Sequence, residues 1–196
     1  MPDLASNEDE PLRYCRVPDH VGTDRLCMWP DPNITWAATS TVPGISEDEF
    51  LLILQSVYEE LASACGISPK QARAARDARI LSHVRSIDGS GGVLAESELP
   101  CGNVRQCQQW YDIGEHWIKR DSQGKGIYLY LVMLHEIMHA LGIGHAPSGS
   151  MAVIAPVYNP AVTQLQQYDI DQLRLRYGKP IVVVPGGGTV GLRSLW

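Results

Sequence analysis

Phenylalanine occurs once in 196 residues and histidine only six times. Bases are scarce as well: 16 Lys and Arg stand against 22 Asp and Glu, for a net charge of −6. Four of the acids (Asp3, Glu8, Asp9, Glu10) fall in the first ten residues with no base among them. The remainder is close to neutral and has no basic stripe, which excludes nucleic acid and anionic membrane surfaces as expected partners. No apolar run approaches the ~20 residues of a membrane span. No basic patch followed by an apolar stretch marks a signal peptide at the start. An exported form would therefore rely on a leader or route that the sequence does not display. Cysteine is present five times, an odd number, and never as CxxC, so at least one thiol stays free, binds metal or pairs outside the chain. What the chain does have is an apolar fraction of 44%, enough for a core and too much for general disorder.

One domain over about residues 30–178 is expected, preceded by an acidic tail and an irregular proline-containing lead-in (1–29) and followed by a glycine-rich tail (179–196). The run ITWAATSTV, between Pro32 and Pro43, reads as a first strand. Ser46 with Glu49 forms a capping box ahead of a helix whose Phe50, Ile53, Leu54, Val57, Tyr58 and Leu61 recur at three and four and which ends near Gly66. ARILSHVRSI reads as a strand, and IDGSGGVLAESELP as a glycine loop with a short strand. Residues 101–124 look loop-rich. GIYLYLVMLHEIMHALG is apolar enough for a buried helix, and a last helix runs from about Leu165 to Tyr177 before Gly178 and Pro180.

The decisive stretch is HEIMHALGIGH, residues 135 to 145. At 100° per residue, His135 and His139 lie about 40° apart on one helix face, one turn removed. Gly142 lets the chain leave the helix through positive φ and turn back, so His145 can add a third nitrogen. Three neutral nitrogens with one open position describe a catalytic zinc site. Glu136, beside the first ligand, is then the candidate general base of a peptide hydrolysis without a covalent intermediate. The full H-E-x-x-H-x-x-G-x-x-H pattern is a metzincin signature.

From Cys15 to Gly178 the sequence resembles the matrixins, the catalytic domains of matrix metalloproteinases. ITWAATSTVPGISEDEF looks like their first strand and helix, YDIGEHW is similar to a D-x-x-E-x-W element, and LQQYDIDQLRLRYG resembles their terminal helix. The resemblance implies an α+β fold: a twisted five-stranded mixed sheet, two long helices including the zinc helix, and a C-terminal helix. It also implies a structural calcium held by Asp88, Asp112, Glu115 and the carbonyls of Gly89, Gly91 and Val93; carboxylates and carbonyls are the hard ligands that Ca²⁺ takes. The family's second zinc would fall at Leu81, His83, Glu96 and Trp110, which is no ligand set, so a single zinc is expected. Cys101 and Cys107 lie in this diverged region, where a small disulfide loop between them is one expectation. For the family's methionine turn Met151 is the candidate, or else Ile154 takes that place. Pro156 and Tyr158 resemble the wall of a specificity pocket for an apolar side chain.

LRYCRVPDHVG around Cys15 shares C-x-V-P-D with the segment that silences matrixin zymogens through a cysteine on the zinc. The expected protein is thus a latent, secreted zinc endopeptidase with protein or peptide substrates and an activating protease. Two other readings stay open: an idle structural or binding protein, for instance virion-associated, and a hydrolase of cell-wall peptide cross-links.

Overall fold

The computed structural model describes residues 27–119 and 125–180, together with the backbone of Tyr14–Cys15. Its strands are β1 (Tyr14–Cys15), β2 (Asn33–Ala38), β3 (Ser68–Gln71), β4 (Ile80–Arg85), β5 (Val93–Ser97), β6 (Cys107–Asp112) and the short pair β7 (Trp117–Ile118) and β8 (Ile127–Tyr128). The helices are α1 (Glu47–Ala64), α2 (Leu129–Ala140) and α3 (Gln167–Tyr177). The main sheet has the order β1-β5-β6-β4-β2-β3. Five of its strands form the mixed sheet expected from the sequence. β2, β3, β4 and β6 run parallel, and β5 pairs antiparallel with β6. The two-residue β1 adds a sixth strand, parallel to β5.

α1 starts where the sequence places it. Ser46 accepts the Glu49 amide and the Glu49 carboxylate takes the Ser46 amide, satisfying donors that a helix N-terminus otherwise leaves open. Its apolar face, Phe50, Leu54, Val57, Tyr58 and Leu61, is buried against the sheet. Tyr58 stacks on Trp36 of β2 at 5.1 Å, and Phe50 meets Tyr111 of β6 edge-on at 6.0 Å. α2 is buried along its whole length, as a helix apolar on all sides must be. No helix among the described residues is long and apolar enough to cross a membrane.

Four sequence expectations are corrected. Residues 101–124 are not simply loop: Cys107–Asp112 forms β6, an inner strand paired on both sides. β3 adds an edge strand that sequence patterning misses. The disulfide joins Cys27 to Cys101 rather than Cys101 to Cys107, because Cys107 points into the sheet core and is fully buried. Cys107 and Cys65 are free buried thiols, and burial pushes them up to about 12 and about 11 respectively. Finally, Cys27 and Trp29, grouped with the lead-in by sequence, are buried, and Trp29 belongs to the main core.

Candidate metal centre

α2 carries His135 and His139 one turn apart, and its end is shaped by Gly142. The Gly142 amide bonds back to the His139 carbonyl at 2.7 Å, and its φ of +89° is a conformation that favours glycine. The chain then doubles back to bring His145 to the other two rings. The Nε2 atoms of His135 and His139 stand 2.9 Å apart, and those of His139 and His145 3.2 Å apart. Among the described residues these three histidines are the group of three whose ligating atoms all lie within 4.8 Å of one another. Nitrogens on a tetrahedral ion at ~2.05 Å would be about 3.3 Å apart.

The protonation pattern suits a metal. His135 Nδ1 faces the Val153 carbonyl at 2.7 Å and His139 Nδ1 faces the Ile143 carbonyl at 2.7 Å. A carbonyl can only accept, so each Nδ1 holds the proton and each Nε2 presents a lone pair to the common centre. Burial pulls His135 down to about 4 and His139 well below its ordinary value, so both are neutral at pH 7. Converging lone pairs with no proton between them repel unless a cation sits among them. The donor set fits a metal ion.

Glu136 follows His135 and is buried. With His135 it borders a pocket of about 430 Å³, open mouth included, whose apolar lining includes Leu131, Val132, Val153 and Val162. Pro156 and Tyr158 also line it, as does Leu94 of β5. The Tyr158 hydroxyl accepts the Tyr128 amide at 3.1 Å, which ties the pocket wall to the entrance of α2.

Met151 does not underlie the histidines. Its side chain is 59% exposed and its sulfur accepts from the Asn159 amide, whereas Ile154 is fully buried. The alternative place at Ile154 is therefore the interior one. The turn holding Ile154 is anchored by a residue that sequence reading missed. Asp169 of α3 is fully buried and accepts the amides of Val153, Ile154 and Gln166 at 2.8–3.2 Å. Burial pushes its carboxyl up against the pull of those three bonds. Asp169 thus fixes Val153, whose carbonyl orients His135. The one sequence signal is an acid three residues after Gln166, in the position of a capping box. Asp169→Ala should strand two buried donors and a half-buried one and lose about 2–3 kcal/mol, roughly 5–10 °C in Tm for a chain of this size, readable in a thermal melt.

The two acidic motifs form one unit. Asp112 accepts the amides of Ile87, Asp88, Gly89 and Gly114; Glu115 accepts Gly91 at 2.7 Å, and Asp88 accepts Val93 at 3.2 Å. Against the upward push of burial, the four amides hold Asp112 below its ordinary value. Gly114 packs so closely on Gly89 that a Cβ would come within 2.6 Å of it. The carboxylates of Asp88, Asp112 and Glu115 are thus turned onto backbone amides of the 87–93 loop and the turn at Gly114.

The matrixin family model, peptidase family M10, matches residues 29–178. The chain belongs to the matrixin family. This matrixin is 38% identical to matrix metalloproteinase-25 of Mus musculus over 96 residues, 47% of this chain and 16% of that protein. It is 36% identical to matrix metalloproteinase-26 of Homo sapiens over 96 residues, 47% of this chain and 34% of the relative. Over a longer stretch, 170 residues, it is 28% identical to matrix metalloproteinase-19 of Homo sapiens, covering 81% of this chain and 32% of the relative. The chain thus spans about a third or less of these relatives.

The matrixin's own departures are visible in its sheet. Leu81 is buried beside Ala37 and Ala78. His83, Trp110 and Glu96 lie in one row across β4, β6 and β5. His83 is bonded at both ring nitrogens, to Thr39 at 2.7 Å and to Gln108. Glu96 pairs with Arg85, whose guanidinium lies 4.3 Å over the Trp110 ring.

Proposed function

We propose that this matrixin is a zinc-dependent endopeptidase that Cys15 holds latent. The observation that carries the reading is the convergence of three histidine rings, with His135 and His139 neutral, beside a buried glutamate that lines an apolar pocket. His135, His139 and His145 hold the ion. Zinc, when bound, supplies a Lewis acid that acidifies water and polarises the scissile carbonyl. Glu136 takes the proton of the attacking water and delivers it to the departing amine. The pocket walled by Pro156 and Tyr158 receives an apolar side chain next to the cut and so sets the register of the peptide. Retention of Glu136 argues against an idle binding protein, which has no use for a base.

Residues 1–26 act as the pro-segment, residues up to 178 as the catalytic domain, with Cys27 and Trp29 belonging to that domain, and 179–196 as a tail. Support for latency comes from β1: the Cys15 backbone is paired with Ala95 beside Leu94, which lines the pocket, so it lies along the cleft edge. The Cys15 side chain is outside the described residues. A protein-cleaving enzyme kept silent until an activating protease cuts it suits a secreted protein.

Asp88, Asp112 and Glu115, with the carbonyls of Gly89, Gly91 and Val93, hold a structural calcium. These groups already share one compact loop unit, and the ion would replace amide contacts of the carboxylates. Elemental analysis should give one zinc per chain, because His83 and Glu96 are committed to side-chain partners. Removing calcium should lower Tm. Two tightly held zincs, or a melt indifferent to calcium, would overturn this metal content. The function itself is tested by peptide cleavage with the zinc-loaded enzyme before and after limited proteolysis of the lead-in.

A further inference from the structure

We infer that Cys27 and Trp29, fastened to the body through Cys101, are positioning residues of the metal centre. The inference rests on the metallopeptidase reading above, but it concerns residues that touch neither ion nor substrate. α2 ends at Ala140, and the last carbonyls of a helix have no partner within it. Here they are capped from two distant parts of the chain. Trp29 donates its indole N–H to the Ala140 carbonyl at 2.8 Å. Tyr177 of α3 donates its hydroxyl to the Leu141 carbonyl at 2.9 Å and accepts the Trp29 amide at 3.2 Å. Trp29 is buried, with the Arg79 guanidinium 5.6 Å from its ring centre, and Arg79 is itself bonded to Asp31.

Next to this cap the Cys27 carbonyl lies against Gly142, so close that a Cβ there would come within 1.5 Å of its oxygen. Only glycine at 142 leaves room for that carbonyl. A disulfide and an antiparallel bridge join it to Cys101, 74 residues later and just beyond the end of β5. The clamp therefore ties the strand along the cleft edge to the turn that delivers the third histidine. Gly142 is followed by Ile143, whose carbonyl fixes the His139 tautomer, and then by His145 itself. A shift of this turn would move one ligand and unlock another.

Groups that orient metal ligands typically contribute about 10–100-fold to metal affinity. The test is the rate at which the full-length chain, loaded with zinc, surrenders the ion to a chromophoric chelator. The visible spectrum of the cobalt-loaded protein is a second readout, since it reports the geometry of the ligands. Cys27→Ser/Cys101→Ser should release zinc about tenfold faster or more, with a changed cobalt spectrum and unchanged far-ultraviolet dichroism. Should that variant fail to fold, Trp29→Phe decides: it keeps the disulfide and the packing but removes the indole donor, and release should still quicken several-fold. Folded variants with the parent's release rate and spectrum would overturn the positioning role alone. A parent that takes up no stoichiometric zinc would overturn the metallopeptidase reading itself, and this inference with it.

Discussion

Replacing Glu136 with alanine is expected to cut kcat/KM for peptide hydrolysis by about 10²–10⁴-fold while leaving one zinc per chain. The two halves of that result separate the roles of neighbouring residues. His135, His139 and His145 already supply three nitrogens at spacings suited to a tetrahedral ion, so loss of the carboxylate removes no ligand. Glu136 is buried and lines the apolar pocket together with His135. Glu136→Gln should behave like Glu136→Ala, since the amide fills the same space but cannot take a proton. Loss of zinc from either variant would make Glu136 a ligand or a support of one. More than a few per cent of residual kcat/KM would remove it as the base.

The centre was legible in the sequence because its geometry is local. Helical periodicity places His135 and His139, and one glycine at positive φ turns His145 toward them, all within eleven residues. α1 was legible for the same reason, with its capping box and its three-four repeat both written in order. β6 was hidden because polar residues occupy inward positions. Gln109 is fully buried and bonds to Ser82 and Ser97 from the flanking strands, a solution invisible until the sheet exists. β3, with the sequence SPKQ, has no alternation at all and depends on its pairing with β2. Met151 misled for a different reason: residue type pointed to it, while the interior place is set by the grip of Asp169 on Val153 and Ile154, from another element. Nor does any spacing encode a disulfide across 74 residues.

Full-length protein should be nearly inert, and Cys15→Ala should be active without proteolysis and prone to cut itself. The physical case starts from the ligand set. Three histidines leave one tetrahedral position, and a thiolate is a strong soft ligand whose pKa the ion itself depresses, so a nearby cysteine closes the site at neutral pH. Cys15 has the means of approach. Its backbone runs parallel to β5 with Cys15 opposite Ala95, along the strand that contributes Leu94 to the pocket. A segment held there occupies the edge that an extended peptide would use, so water and substrate are excluded together. The clamp at Cys27 sets the limit of what activation can remove: a cut between Asp19 and Leu26 frees Cys15 but leaves Cys27, Trp29 and the α2 cap in place. Cleavage there should restore activity to the level of Cys15→Ala, and a thiol reagent that captures Cys15 should activate the intact chain. A zinc-edge spectrum of the full-length protein without a sulfur ligand would refute the switch. A Cys15→Ala protein no more active than its parent would do the same.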